Sequence, residues 1–293
     1  MEEIKTINIE DKNYPKLLKK IKNPPKVLYF KGEFPVQAPC LAIVGTRKYS
    51  SYGRQITFEI AGDLADAGIV IVSGFAPGID TFAHQAVIEK NKKTIAVLGT
   101  GLDKKSIYPQ SNTKLVEKII KNKGALISEY PPGTPGSKYS FPQRNRIIAG
   151  LCLGILVIEA KQKSGALITA KYGFEQNKKI FAVPGPIHTP NSKGPHYLIK
   201  KGARLVENAN DILKEISSMI ELNLPAQKRI KELKGETKEE QLVLEVLKET
   251  NLHIDKIIEK TNLCAAVVIS ALANLEITGK VRNLGGNIYT LKH

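Results

Sequence analysis

Leu41-Ala42-Ile43-Val44-Gly45, Ile69-Val70-Ile71-Val72-Ser73 and Thr94-Ile95-Ala96-Val97-Leu98 are short apolar runs, each reaching a glycine at or just past its end. None alternates apolar with polar residues, so both faces of each predicted strand are buried, as in a parallel sheet covered by helices on both sides. Between them lie Arg54–Ala67 and Ile79–Glu89, which have helical period. The alternation continues through predicted strands at Ala125–Ser128, Ile155–Ile158, Lys179–Val183 and Ala203–Val206. Ser111–Lys121, Arg144–Leu151 and Ala166–Gln176 supply further predicted helices. The pattern predicts a doubly wound, Rossmann-like α/β domain with a mostly parallel sheet over residues 1–220. Residues 1–40, punctuated by Pro24, Pro25 and Pro35, are too few for a separate domain and are expected to pack on it as an extension.

Residues 221–238 are polar, contain Pro225 and Gly235, and are expected to be a linker. From residue 239 the period changes. Glu240–Glu249 and Ile254–Lys260 read as short amphipathic helices, Ala265–Leu275 as an apolar one, and Val281–Leu291 as a hairpin turning at Gly285-Gly286-Asn287. This predicts a small winged-helix domain over 239–293. A helix that reads duplex DNA meets it with Lys, Arg, Asn or Gln. Cys264–Leu275 offers only Ser270 and Asn274, so protein contact or docking against the sheet domain is the expected role.

The charge is uneven. The chain carries a net +16 with pI near 9.6, yet residues 239–293 hold six Lys/Arg against seven Asp/Glu. Residues 1–238 therefore carry 38 against 21, a net of +17. Such an excess attracts polyanions, although a lysine-rich coding bias would leave the same mark. Apolar residues make up 42% of the chain, which excludes wholesale disorder. Met1-Glu2-Glu3-Ile4-Lys5 lacks the features of a signal peptide, and no run approaches the roughly 18 apolar residues of a membrane span. Cys40, Cys152 and Cys264 have neither metal-ligand nor disulfide spacing, and are expected to be reduced, mostly buried thiols of a cytoplasmic protein.

In a doubly wound sheet, ligands bind at the carboxyl ends of the strands. There the chain places Gly45-Thr46-Arg47-Lys48 followed by Ser50-Ser51-Tyr52-Gly53, then Ser73-Gly74-Phe75-Ala76-Pro77-Gly78-Ile79-Asp80, then Gly99-Thr100-Gly101. Small residues admit a ligand to the backbone, amides at helix N-termini favour phosphate, and Arg47 adds planar donors. None is a dinucleotide fingerprint or a Walker A loop, and any one alone reads equally as a tight turn. Their convergence on one edge predicts an anionic ligand. Ser164-Gly165-Ala166-Leu167-Ile168-Thr169-Ala170 reads as a helix cap or a further phosphate cradle.

Ser137-Lys138-Tyr139-Ser140-Phe141-Pro142-Gln143-Arg144-Asn145-Arg146 combines three cations with aromatic rings. Cations match phosphates and a ring stacks a base of any identity. The alternative places Phe141 in the core and Arg144 and Arg146 in internal ion pairs.

Gly45-Thr46-Arg47, Ser73-Gly74 with Gly78-Ile79-Asp80, Phe141-Pro142-Gln143-Arg144-Asn145-Arg146, Ser164 to Ala170 and Ala182-Val183-Pro184-Gly185 resemble, in this order and spacing, the DNA-processing protein A (DprA/Smf) family. With Tyr14-Pro15, Pro24-Pro25 and Leu28-Tyr29 the likeness spans roughly residues 14–213, and the last 55 residues resemble the winged helix that often follows. The resemblance implies a non-enzymatic homodimer that binds incoming single-stranded DNA in natural transformation, protects it, and loads a RecA-class recombinase. By motif, Arg47, Lys138, Phe141, Arg144, Asn145 and Arg146 would line the DNA pocket, with Gly45, Thr46, Ser73, Gly74, Ser164 and Gly165 in the adjoining loops. Pro77 stands where relatives often have Arg, and only about forty residues precede the first strand of the sheet where many relatives carry a helical domain.

The competing enzyme reading is a nucleotide-cleaving hydrolase of the lysine-decarboxylase-like Rossmann group. It requires an acid or base at the bond broken. The chain has no Pro-Gly-Gly-x-Gly-Thr loop followed by a Glu; Asp80 and His84, one helical turn apart, could pair, but a helix-start Asp with a nearby His also reads as structural. No catalytic, metal or cofactor motif is recognised.

Overall fold

The computed structural model describes residues 3–217, 235–247, 251–283 and 285–291, so most of the expected linker lies outside the described residues. The chain folds as two compact units, Met1–Leu222 and Asn223–His293. The first unit opens with β1 Lys5–Asn8, α1 Lys16–Lys19 and β2 Val27–Gly32. The winding then begins: β3 Cys40–Val44, α2 Ser51–Asp66, β4 Val70–Ser73, α3 Ile79–Glu89, β5 Thr94–Leu98, α4 Thr113–Lys121 and β6 Ala125–Ser128. It continues through α5 Ser140–Leu151, β7 Gly154–Val157, α6 Gly165–Glu175, β8 Lys179–Ala182, α7 Lys193–Lys200, β9 Arg204–Leu205 and α8 Ala209–Ser217.

These strands form one nine-stranded sheet in the order β1-β2-β6-β5-β4-β3-β7-β8-β9. From β6 to β9 every pairing is parallel, while β2 runs antiparallel to β6 and β1 antiparallel to β2. The chain winds outward from β3 to β6, then returns to lay β7 beside β3 with Ala42 opposite Ile155. That reversal opens a crevice between the carboxyl ends of β3 and β7, the topological switch point of such folds.

Successive strand residues point to opposite faces, and both faces are apolar. Ala42, Val44, Val72, Val97 and Val157 pack under Leu18, Ile147, Ile148, Ala170 and Leu198 of α1, α5, α6 and α7. Leu41, Ile43, Ile71 and Leu156 pack under Ile60, Leu64, Ala83, Val87 and Ile212 of α2, α3 and α8. The central strands match the predicted ones to within a residue or so. The start of α5 differs: helix begins at Ser140, so Phe141 to Arg146 lie within it and only Ser137, Lys138 and Tyr139 precede it. Pro142 is its third residue, where the missing N–H forfeits no intrahelical bond.

In the second unit α9 Lys238–Leu247, β10 Leu252–His253, α10 Ile254–Thr261, α11 Ala265–Ile277, β11 Val281–Asn283 and β12 Ile288–Leu291 form a winged-helix domain. Its sheet has the order β10-β12-β11, and Val243, Leu244, Leu247, Ile257, Val268, Leu272 and Leu275 make its core. The outer face of α11 leaves Ile269 and Ile277 exposed to 54% and 84%. Cys40 and Cys152 are buried as expected, but Cys264 is exposed because it caps α11 outside that core. Among the described residues no single helix is long and apolar enough to cross a membrane.

Candidate nucleic-acid interface

Two buried polar groups tie the carboxyl ends of the central strands together. Arg144, the fifth residue of α5, turns inward, and one guanidinium nitrogen donates to the carbonyls of Gly74 and Val97, just past β4 and within β5. Its Nε donates to Asn145 Oδ1 at 3.1 Å, and Asn145 Nδ2 donates to the Gly165 carbonyl at 3.2 Å. Asp80, in the first turn of α3, accepts from the amides of Gly74 at 3.1 Å and Ala76 at 3.4 Å, and from that of Gly45. A Cβ on Gly74 would sit 2.6 Å from an Asp80 oxygen and 3.0 Å from the guanidinium, so only glycine fits between them. Burial lowers the pKa of Arg144 to about 10 and raises that of Asp80, and the attraction between the two opposes both shifts.

This corrects part of the expectation. Arg144 and Asn145 are buried and bonded to the protein, and Ser73 donates to the Ile43 carbonyl at 2.6 Å. The Ser73-Gly74 loop therefore spends its donors internally. Arg146 likewise pairs with Glu129 at 2.5 Å, as the ion-pair alternative held. A charged group at a strand terminus finds free carbonyls there, and burial makes such bonds hard to exchange for a ligand.

The crevice at the switch point is also self-filled. Glu159, two residues past β7, is 4% exposed and lies at the N-terminus of α2. Its carboxylate accepts from the Ser50 amide at 2.9 Å, the Ser50 hydroxyl at 2.6 Å and Asn191 Nδ2 at 3.4 Å. That helix terminus is where a Rossmann sheet ordinarily holds a phosphate. Here a side-chain anion occupies it, and Thr46 is buried beside it with its amide bonded to the Glu159 carbonyl at 2.7 Å. Sequence reasoning missed this role for Glu159. The available signal was a carboxylate directly after a fully apolar strand.

Asp80 and His84 do not pair. Thr94 Oγ1 donates to the Ile71 carbonyl at 2.7 Å, so its contact with His84 Nδ1 at 2.8 Å has the ring as donor. Nε2 is then a buried acceptor without a partner among the described residues. Burial and the Arg144 charge push His84 down to about 3, so it is neutral at physiological pH.

What faces outward is cationic and aromatic. Arg47 and Lys48 are exposed past β3, and Lys138 is exposed with its ammonium 5.1 Å from the Tyr139 ring. Tyr139 is 69% exposed. Phe141 is half-buried, neither core nor free: it lies against Gly99 and Gly136, with the exposed Tyr108 ring 5.6 Å away. Tyr108 was not singled out from sequence, since it lies thirty residues upstream. At the fourth loop Ser164 caps α6, its hydroxyl accepting from Ala166 N at 3.3 Å, while Gly165 stays open beside a cleft of about 720 Å³ that Lys163, Lys171 and Tyr197 help to line.

Residues 5–217 match the family model for DNA recombination-mediator protein A, and residues 227–287 match that for the DprA winged helix domain. DNA processing protein DprA of Bacillus subtilis is 42% identical over 215 residues, covering 73% of this chain and 71% of that protein. The X-ray structure of DprA from Streptococcus pneumoniae superposes with a TM-score of 0.68 at 41% identity, covering 73% of this chain and 74% of that one. DNA processing protein A from Helicobacter pylori, a protein with a single-stranded DNA binding mode, gives a TM-score of 0.65 at 31% identity, over 75% of this chain and 99% of that one. By these matches and by its nine-stranded sheet and winged helix, the chain belongs to the DNA recombination-mediator protein A (DprA/Smf) family.

Proposed function

We propose that the chain is a cytoplasmic, non-enzymatic homodimer that binds single-stranded DNA along the carboxyl edge of its sheet, protects it, and hands it to a RecA-class recombinase in natural transformation. The observation that carries this is the division of labour at that edge. Glu159 fills the helix terminus in the crevice, Asp80 takes up the Gly74 and Ala76 amides beside it, and Arg47, Lys48, Lys138, Tyr139 and Tyr108 are turned to the surface around the half-buried Phe141. A surface of cations and rings fits a flexible polyanion with exposed bases better than it fits a mononucleotide. The hydrolase reading loses its acid–base candidate, because Asp80 and His84 are each bonded elsewhere. The winged-helix domain, 239–293, with an apolar outer helix face and almost no net charge, serves protein contact in this reading.

Titration with matched single- and double-stranded oligonucleotides tests it. Single strands bind more tightly, and Phe141→Ala loses about 1–3 kcal/mol of that binding while Phe141→Tyr keeps it. Equal affinity for both forms of DNA would sink the proposal. Affinity also falls with salt, and Arg47→Ala lessens the log–log slope by about 0.7, the share of one phosphate contact on a single strand. An unchanged slope would make Arg47 a structural residue.

A further inference from the structure

We propose that Tyr49, Phe82 and Arg54 form a second base-stacking subsite for the same single strand, on the opposite face of the sheet edge from Phe141; this rests on the single-strand reading above. Tyr49 follows Arg47 by two residues and is 46% exposed. Its ring meets Phe82 edge-on, with centroids 4.5 Å apart and planes at 88°. Phe82 lies 5.9 Å from Phe58, and the exposed Arg54 guanidinium stands 5.5 Å from the Phe82 ring and 5.8 Å from the Phe58 ring. Neither Tyr49 nor Phe82 packs into an apolar cluster of the sheet domain, whereas Phe58 leans on one. Two rings and a guanidinium plane are thus held at the surface without serving the core.

The position is fixed by the same loops as the first subsite. Ile79 N donates to the Thr46 carbonyl at 3.3 Å, which ties the start of α3 to the Arg47 loop. α5, which carries Phe141, and α3, which carries Phe82, cover opposite faces of the sheet, so a strand crossing the carboxyl edge from Phe141 past the Arg47 loop comes to the face where Tyr49 and Phe82 meet. The charge selects the partner. Residues 45–58 contain Arg47, Lys48 and Arg54 and no Asp or Glu. Flat apolar groups set beside the exposed cations Arg47, Lys48 and Arg54 suit bases on a phosphate backbone, with Arg54 adding a stacking plane of its own.

The test compares the full chain with Tyr49→Ala, Tyr49→Leu and Tyr49→Phe, using fluorescently labelled oligothymidylates of about six and about twenty nucleotides. For the longer strand, Tyr49→Ala and Tyr49→Leu lose roughly 5- to 100-fold in affinity, and Tyr49→Phe stays within about twofold of the parent. The shorter strand, satisfied at Phe141, binds all four proteins alike. Leucine keeps an apolar side chain against Phe82 but has no π-face, so a loss in both variants separates stacking from packing. Parental affinity for the longer strand in Tyr49→Ala or in Tyr49→Leu overturns the subsite and leaves the Phe141 site standing. If the parent itself binds neither strand, the single-strand reading fails and the subsite with it.

Discussion

Arg144→Ala lowers the stability of the sheet domain by about 3–5 kcal/mol, the range for removing one partner from a buried charge pair. Two carbonyls at the ends of β4 and β5 lose their donor, and Asp80 is left buried without its counter-charge. Urea unfolding measures the effect as a lower midpoint at unchanged slope. Arg144→Lys recovers little of it, because a single ammonium group lacks the planar fork that reaches Gly74, Val97 and Asn145 together. A loss below about 1 kcal/mol in Arg144→Ala would show that the guanidinium does not hold the strand ends.

The second large effect is a dependence on pH. His84 is buried neutral, its pKa lowered from 6.5 to about 3. Below pH 6.5 the unfolded chain takes up a proton that the folded one refuses until about pH 3. The unfolded state therefore binds more protons in that window, and stability falls as pH falls, approaching about 1.4 kcal/mol per pH unit. His84→Gln keeps a donor for Thr94 and removes the titration. Subtracting its stability curve from that of the parent yields a difference flat above pH 6.5 and falling below it. A flat difference across the whole range would mean that His84 is reached by protons in the folded state.

The central strands were legible because burial on both faces leaves unbroken Ile, Val and Leu runs, which few other local structures tolerate. The antiparallel edge was not. Lys5–Asn8 and Val27–Gly32 carry lysines among apolar residues and are strands only because β6 offers a free edge. Lys193–Lys200 contains Gly194 and Pro195 and reads as loop; it is helical because Leu198 packs into the core and Gly194 N donates to the Ala160 carbonyl at 2.8 Å. At the candidate site the residue types were readable and their directions were not. Lys138 and Arg144 look alike in sequence, yet one is exposed and the other bonds two strand ends. That difference depends on which carbonyls the fold leaves open, a property of the assembled sheet. Tyr49 and Phe82, thirty-three residues apart, meet only once α2 and α3 are side by side.

On the single-strand reading proposed above, Glu159 would give the domain a form of selectivity that concerns chain length rather than sequence. A Rossmann crevice with an empty helix terminus is open to any small phosphorylated metabolite, and a protein using it to hold DNA would compete with the cell's dissolved nucleotides. Here the carboxylate, bonded to the Ser50 amide and hydroxyl, acts as a permanent internal competitor at the one place where a monomer would gain most. A ligand must instead collect many weak contacts spread along an exposed edge, which a polymer does and a free nucleotide does not. Discrimination against the metabolite pool is thereby built into the resting fold, before any base is read.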